Sequence, residues 1–160
     1  MSVKPRLITV LLLQVVFYGC SRQRQITLLP DGYQGPVLIL FSAHDGRPPE
    51  YRGKARVYRI PPSGVLKTQF LAYSGYVDPT FYYARGDTLV RSIRDLDGPD
   101  MTSADTAVYA FLFELGTFGK DPSEDTLHDR HYLSFVVGHV SDAESLATRG
   151  QRLVNQFWPH

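Results

Sequence analysis

Residues 25–42 read Gln-Ile-Thr-Leu-Leu-Pro-Asp-Gly-Tyr-Gln-Gly-Pro-Val-Leu-Ile-Leu-Phe-Ser. Two runs rich in Ile, Leu and Val, Gln25–Pro30 and Pro36–Ser42, stand either side of Asp31-Gly32 and Gly35. Short apolar runs bounded by turn residues are strands rather than helices. The second run is almost wholly apolar from Pro36 to Phe41. A strand without alternation is covered on both faces, so this one predicts a packed layer on either side of it.

The rest of the chain extends the pattern. The stretch His44-Asp-Gly-Arg-Pro-Pro-Glu50 is too rich in turn formers to sit inside a sheet. Arg56–Ile60 alternates polar and apolar as a half-buried strand does, Pro61-Pro-Ser-Gly64 breaks it, and Val65–Phe70 resumes extended structure. Further strands are predicted at Thr80–Ala84, Thr88–Ile93, Thr106–Leu115 and His131–Val137, with exposed loops at Asp95–Ser103 and Gly116–Asp129. Only the C-terminus reads as helical. Ser141 and Glu144 make a capping-box pair, and Leu146, Ala147, Gly150, Leu153, Val154 and Phe157 recur at helical spacing over 142–157. Residues 25–160 are therefore expected to form one mainly β domain. Its architecture is a β-sandwich or open barrel of about seven or eight strands with one C-terminal amphipathic helix.

Composition bounds the function. The chain has 160 residues, 43% hydrophobic, 21% charged and 12% aromatic, which suits one folded domain rather than a disordered chain. Its 17 basic and 16 acidic residues lack the basic excess of a dedicated nucleic-acid binder, so no nucleic-acid partner is expected. The single cysteine, Cys20, excludes an internal disulfide and any cysteine-based zinc cluster.

That cysteine closes the N-terminal segment. Residues 1–19 carry Lys4 and Arg6 ahead of an apolar stretch from Leu7 to Tyr18, too short for a bilayer span of about 20 residues. A charged start, a short apolar run and then small residues mark an export signal. Because Gly19-Cys20 ends the run, the segment resembles a bacterial lipoprotein signal, which implies acylation of Cys20 and a short tether over residues 20–24. Phe17 and Tyr18 depart from the usual residues of that motif, and plain secretion with cleavage after Ser21 is the competing reading. Loss of residues 1–19 removes Lys4 and Arg6, leaving 15 basic against 16 acidic residues. On net charge alone no polybasic surface is expected, and the membrane partner is reached through acyl chains on Cys20.

Gly32-Tyr33-Gln-Gly35-Pro-Val37-Leu-Ile39 and Arg56-Val-Tyr58-Arg-Ile60-Pro61-Pro-Ser-Gly64-Val-Leu66-Lys-Thr68 form a combination that resembles a bacterial lipoprotein domain family of unknown function. Phe135-Val-Val-Gly138 is similar to a motif near that family's end. The resemblance implies an exported or lipid-anchored envelope protein and carries over no activity and no catalytic residue. The motif residues also have structural readings. Gly32, Gly35 and Gly64 suit positive φ in tight turns, and Tyr33 and Tyr58 suit buried rings with hydrogen-bonded hydroxyls.

No catalytic frame stands out: the chain contains no Gly-x-Ser-x-Gly elbow around Ser63 and no phosphate-binding glycine loop, and no cofactor is expected. Carboxylate pairs can be drawn among Asp78, Asp87, Glu114 and Asp125, as in any chain with 16 acids. His128, His131 and Asp142 are weak metal candidates, since histidines three apart on a strand face opposite sides. The aromatic group Tyr73, Tyr76, Tyr82 and Tyr83 is the candidate contact surface for a glycan or another envelope protein. The expected function is a non-enzymatic binding or structural module of the bacterial envelope. The alternatives are a metal-dependent hydrolase, or an accessory or immunity component.

Overall fold

A computed structural model describes residues 22–96, 106–118 and 130–157, with the backbone alone for Arg130. The segment 1–19, Cys20, Asp125, His128 and much of the two predicted loops lie outside the described residues. Nine strands follow in order: β1 Gln23–Pro30, β2 Gly35–Leu40, β3 Glu50–Arg52, β4 Ala55–Arg59, β5 Val65–Lys67, β6 Val77–Arg85, β7 Thr88–Asp95, β8 Tyr109–Phe118 and β9 Arg130–Gly138. A short 3-10 turn, Val140–Asp142, leads into helix α1, Ala143–Asn155. The strands form one sheet in the order β3-β4-β1-β6-β7-β8-β9-β2-β5, curled into a half-barrel.

All eight predicted strands are present, and the barrel alternative holds over the sandwich. The additional strand is β3, which begins where the proline-rich turn ends and pairs antiparallel with β4 across Gly53-Lys54. A three-residue strand next to two prolines carries almost no periodic signal. Pairing also departs from a simple meander: β1 runs parallel to both β4 and β6, and β2 runs parallel to β5.

β2 explains the apolar run. Val37 and Ile39 point into the half-barrel with Leu29, Tyr58, Leu66, Phe81, Tyr83 and Phe135. Leu38, on the opposite face, packs with Phe118, Tyr132 and Val154 of α1. Leu38 and Ile39 are both 0% exposed, so the strand has the two-sided cover that its sequence requires. Farther along the outer face, Leu146 of α1 packs against Tyr109, Phe111 and Val136.

The helix starts later than expected and lacks the capping box. Its N-cap is Asp142, without a side-chain cap bond, because Ser141 is taken into the preceding 3-10 turn. Phe157 lies beyond the helix and is 36% exposed, so Leu146 and Val154 carry the packing face.

The open side of the curl is bridged by the segment between β2 and β3. Arg47 donates its backbone N–H to Lys67 O and accepts from Gln69 N, both at 2.9 Å, alongside β5. At the same end Arg59 grips Glu50 through two 2.8 Å bonds and reaches Asp87 at 2.7 Å, tying β3 and β4 to the β6–β7 turn.

Candidate functional site

The tyrosine group splits between two environments. Tyr83 is 1% exposed inside the half-barrel and its hydroxyl donates to Tyr33 O at 2.8 Å, so its ring offers no contact surface. Tyr82 points to the other face and is half-buried. Tyr76 is 73% exposed at the foot of β6, and Tyr73 sits under the Arg56 guanidinium, 5.7 Å from its centroid. Strand alternation separates Tyr82 from Tyr83, and eight residues of chain carry Tyr73 and Tyr76 toward one end of the molecule.

Tyr33 and Tyr58 also part ways. The Tyr33 hydroxyl donates to Pro36 O, as expected of a buried ring at a sheet margin. The Tyr58 hydroxyl is buried without a hydrogen bond among the described residues. Burial pushes its phenol above the ordinary value, and the neighbouring Arg56 opposes that shift.

The weak metal set does not assemble. His131 at the start of β9 lies 3.1 Å from the Thr117 hydroxyl through Nδ1, whereas Asp142 follows the far end of the same strand. The length of β9 from His131 to Gly138, roughly 20 Å of extended chain, separates them. Asp78, Asp87 and Glu114 are likewise dispersed over the start of β6, the β6–β7 turn and β8.

One concavity is built by the backbone itself. β8 pairs antiparallel with β9, but its register shifts between Phe111 and Glu114: Phe111 opposes Val136 while Glu114 opposes Ser134. Leu112 and Phe113 thus face the single residue Phe135, a β-bulge. Leu112 takes φ +56, in the left-handed region that a branched side chain adopts at a cost of about 1–2 kcal/mol. The bulge keeps Phe111 and Glu114 on the outer face and turns Phe113 inward, where it stacks on Phe135 at 5.5 Å.

Beside the bulge a cavity of about 300 Å³ opens toward Ala147, Gly150 and Gln151 of α1. Its walls are largely apolar, and its lining includes the polar residues Glu114, Ser134 and Gln151. Glu114 is fixed by the Tyr132 hydroxyl, which donates to Oε1 at 2.7 Å. Burial, then the bond to Glu114 and its charge, push the Tyr132 phenol up to about 12. Ser134 is 8% exposed in this lining. Sequence reading missed this site, because neither a lone Ser nor a Glu signals a bulge. The one available hint was Phe111-Leu-Phe113-Glu114-Leu115, where apolar alternation slips by one residue.

A curled β-sheet with one outer helix and a bulge-built cavity defines the class. Residues 21–93, from the start of β1 into β7, match the model of a family of unknown function, DUF6843. Both quoted glycine motifs fall inside that match, and Phe135–Gly138 falls outside it. The resemblance read from the sequence, to a lipoprotein-type domain of unknown function, is upheld. A solved structure of a Bacillus anthracis protein, provisionally described as a lipoprotein, has a similar fold: TM-score 0.54, 14% identity, 74% of this chain and 71% of that one. No curated protein matches the chain.

Proposed function

We propose that this chain is an exported protein of the bacterial cell envelope, anchored through acylated Cys20, that acts as a non-enzymatic module binding a small amphipathic molecule. The β8-bulge cavity carries the reading. It combines a strained backbone at Leu112, largely apolar walls and the buried polar residue Ser134 beside Glu114. Backbone strain of this kind collects at ligand sites, and a few convergent polar groups in an apolar concavity are how such sites orient what they hold. Glu114 sets the polarity: the occupant has an apolar body and a cationic or hydrogen-bond-donating head. The anchored location is supported by Gly19-Cys20 at the end of the apolar run and by the description of the Bacillus anthracis protein of similar fold. Among the described residues no helix is long and apolar enough to cross a membrane, so acyl chains are the attachment proposed.

Thermal unfolding of the purified full-length lipidated protein tests the ligand class, with hexylamine as probe and hexanoate as control. A saturable rise in Tm with hexylamine alone, lost in Glu114→Gln, is the expected result. Equal response to both probes, or to neither, removes the cavity from the reading.

A second reading, an accessory component that binds another envelope protein, is favoured by β7. Among the described residues that strand pairs with β8 only at Arg94 and Asp95, and Leu89 and Val90 are 41% and 45% exposed. An open strand edge of this kind accepts an added strand. Specific enrichment of one partner from membranes by the wild type, and not by Val90→Lys, would favour it.

A further inference from the structure

We infer that the end of the half-barrel from which the N-terminal tether leaves is a membrane-facing surface that rests on anionic phospholipid; the inference builds on acylation of Cys20. β1 begins at Gln23, three residue steps after Cys20. A fully extended chain spans about 3.3–3.6 Å per residue, so this end stands no more than about 11 Å from an acylated cysteine. The orientation of the domain is then set by what this end carries.

It carries cations and exposed apolar side chains. Gln23 N–H donates to Tyr76 O at 2.9 Å, and the Gln23 side-chain amide donates to Lys54 O at 3.3 Å. These bonds bring the β3–β4 turn and the loop before β6 to the start of β1. Arg52 and Lys54 flank Gly53 in that turn, and Arg22 and Arg24 flank Gln23. All four are exposed, and none makes an ion pair among the described residues. The acids of this end include Asp78, which is opposite Arg24 in the β1–β6 register, and Asp95, which ends β7 antiparallel to the start of β6. Arg22, Arg24, Arg52 and Lys54 outnumber these two acids and give a positive face on a chain whose net charge after loss of residues 1–19 is −1. At the opposite end, by contrast, Arg59 and Arg85 are neutralised by Glu50, Asp87 and Asp31.

The apolar component is equally one-sided. Tyr76 is 73% exposed and Val77, the Gln23 neighbour in β6, is 40% exposed. Leu71, 70% exposed, is held in place because Arg56 donates to its carbonyl at 2.7 Å while lying over the Phe70 ring at 4.9 Å. Tyrosine and aliphatic side chains with interspersed cations are the composition of a surface that settles at the headgroup level. Cations attract anionic lipid only within about one screening length, roughly 10 Å at 0.1 M salt. The tether keeps them inside that distance, which net charge could not reveal.

The test uses the full-length lipidated protein in vesicles of phosphatidylcholine and phosphatidylglycerol, with a fluorophore on Tyr76→Cys or, separately, on Asp87→Cys. Mature Cys20 is a thioether and leaves the new thiol as the labelled one. Spin-labelled lipid should quench position 76 at least about twofold more than position 87. The difference should shrink in about 1 M salt and in the Arg24→Glu, Lys54→Glu double variant, while the protein still floats with the vesicles. Equal quenching at both positions in floating protein overturns the membrane-facing end and leaves the anchor intact. A protein that takes up no fatty-acid label and does not float overturns the anchor, and this orientation falls with it.

Discussion

Gly64 closes over the hydroxyl of Tyr33. The phenol donates to Pro36 O, and a Cβ built on Gly64 would lie 2.5 Å from that same carbonyl oxygen and closer still to the phenol oxygen. The two glycine motifs that resemble a lipoprotein domain family thus meet in space. One supplies the tyrosine, the other the residue without a side chain, and Gly64 takes φ +79 to complete the approach. Gly64→Ala combines left-handed strain with a clash against backbone, and should cost about 2–4 kcal/mol. Tyr33→Phe removes one hydrogen bond and should cost about 0.5–1.5 kcal/mol. Urea unfolding of the two variants checks the order: a Gly64→Ala protein as stable as Tyr33→Phe would mean that this contact can relax.

Tyr132 gives the fold an alkaline limit. Its phenol is raised from 10.0 to about 12 by burial and by Glu114, so in the folded state it keeps its proton where the unfolded chain loses it. The folded state binds more protons across that window. The stabilisation is therefore fully present below about pH 10 and is lost as pH rises toward about 12, on the order of 2 kcal/mol in all. Tyr33, Tyr58 and Tyr83 are shifted upward as well, with burial the main cause in each, and contribute in the same sense. Urea midpoints followed from neutral pH to about pH 12 should fall over this window, and less steeply in Tyr132→Phe. A slope unchanged in Tyr132→Phe would assign the alkaline loss to the other tyrosines.

Helix α1 is part of the core. Leu146 is 5% exposed, and a Cβ on Gly138 at the end of β9 would sit 2.6 Å from its Cδ1, so helix and strand are in close contact there. Leu146→Ala should cost about 2–4 kcal/mol, whereas Phe157→Ala, at a half-exposed ring past the helix, should stay within about 1 kcal/mol. Truncation after Gly138 should abolish cooperative melting. A truncated chain that melted near the full-length temperature would make the helix an appendage.

These contrasts mark what a one-dimensional reading can reach. Pro36–Phe41 announced its double burial because solvent exclusion on both faces writes itself as an unbroken apolar run, and Leu38 and Ile39 meet it. Gly32 and Gly64 announced their turns because only glycine takes positive φ without cost, and they have φ +73 and +79. Which strands pair was not legible: nothing in Gln25–Pro30 says that its neighbours are β4 and β6, both parallel, since register depends on residues remote in sequence. The bulge at Leu112 and the cationic end around Gln23 were hidden for the same reason. Arg22, Arg24, Arg52 and Lys54 are scattered along the chain, and only pairing of β1 with β4 and the bond from Gln23 to Lys54 bring them together.

Cys20 is expected to serve attachment and not folding. It has no second cysteine to pair with, and it stands between an apolar run and the polar stretch Ser21–Gln25. Acylation adds about 0.8 kcal/mol of membrane affinity per buried CH₂, and more than one chain is needed for stable anchoring. Metabolic labelling with a fatty-acid analogue in a bacterial host should mark the wild type and leave Cys20→Ala unmarked. The unmarked variant should keep the wild-type urea midpoint if the cysteine serves attachment alone. If the wild type takes up no label and its mature N-terminus is Arg22, ordinary secretion replaces anchoring. The exposed Tyr76 and the surrounding cations would then need a soluble partner instead of a bilayer.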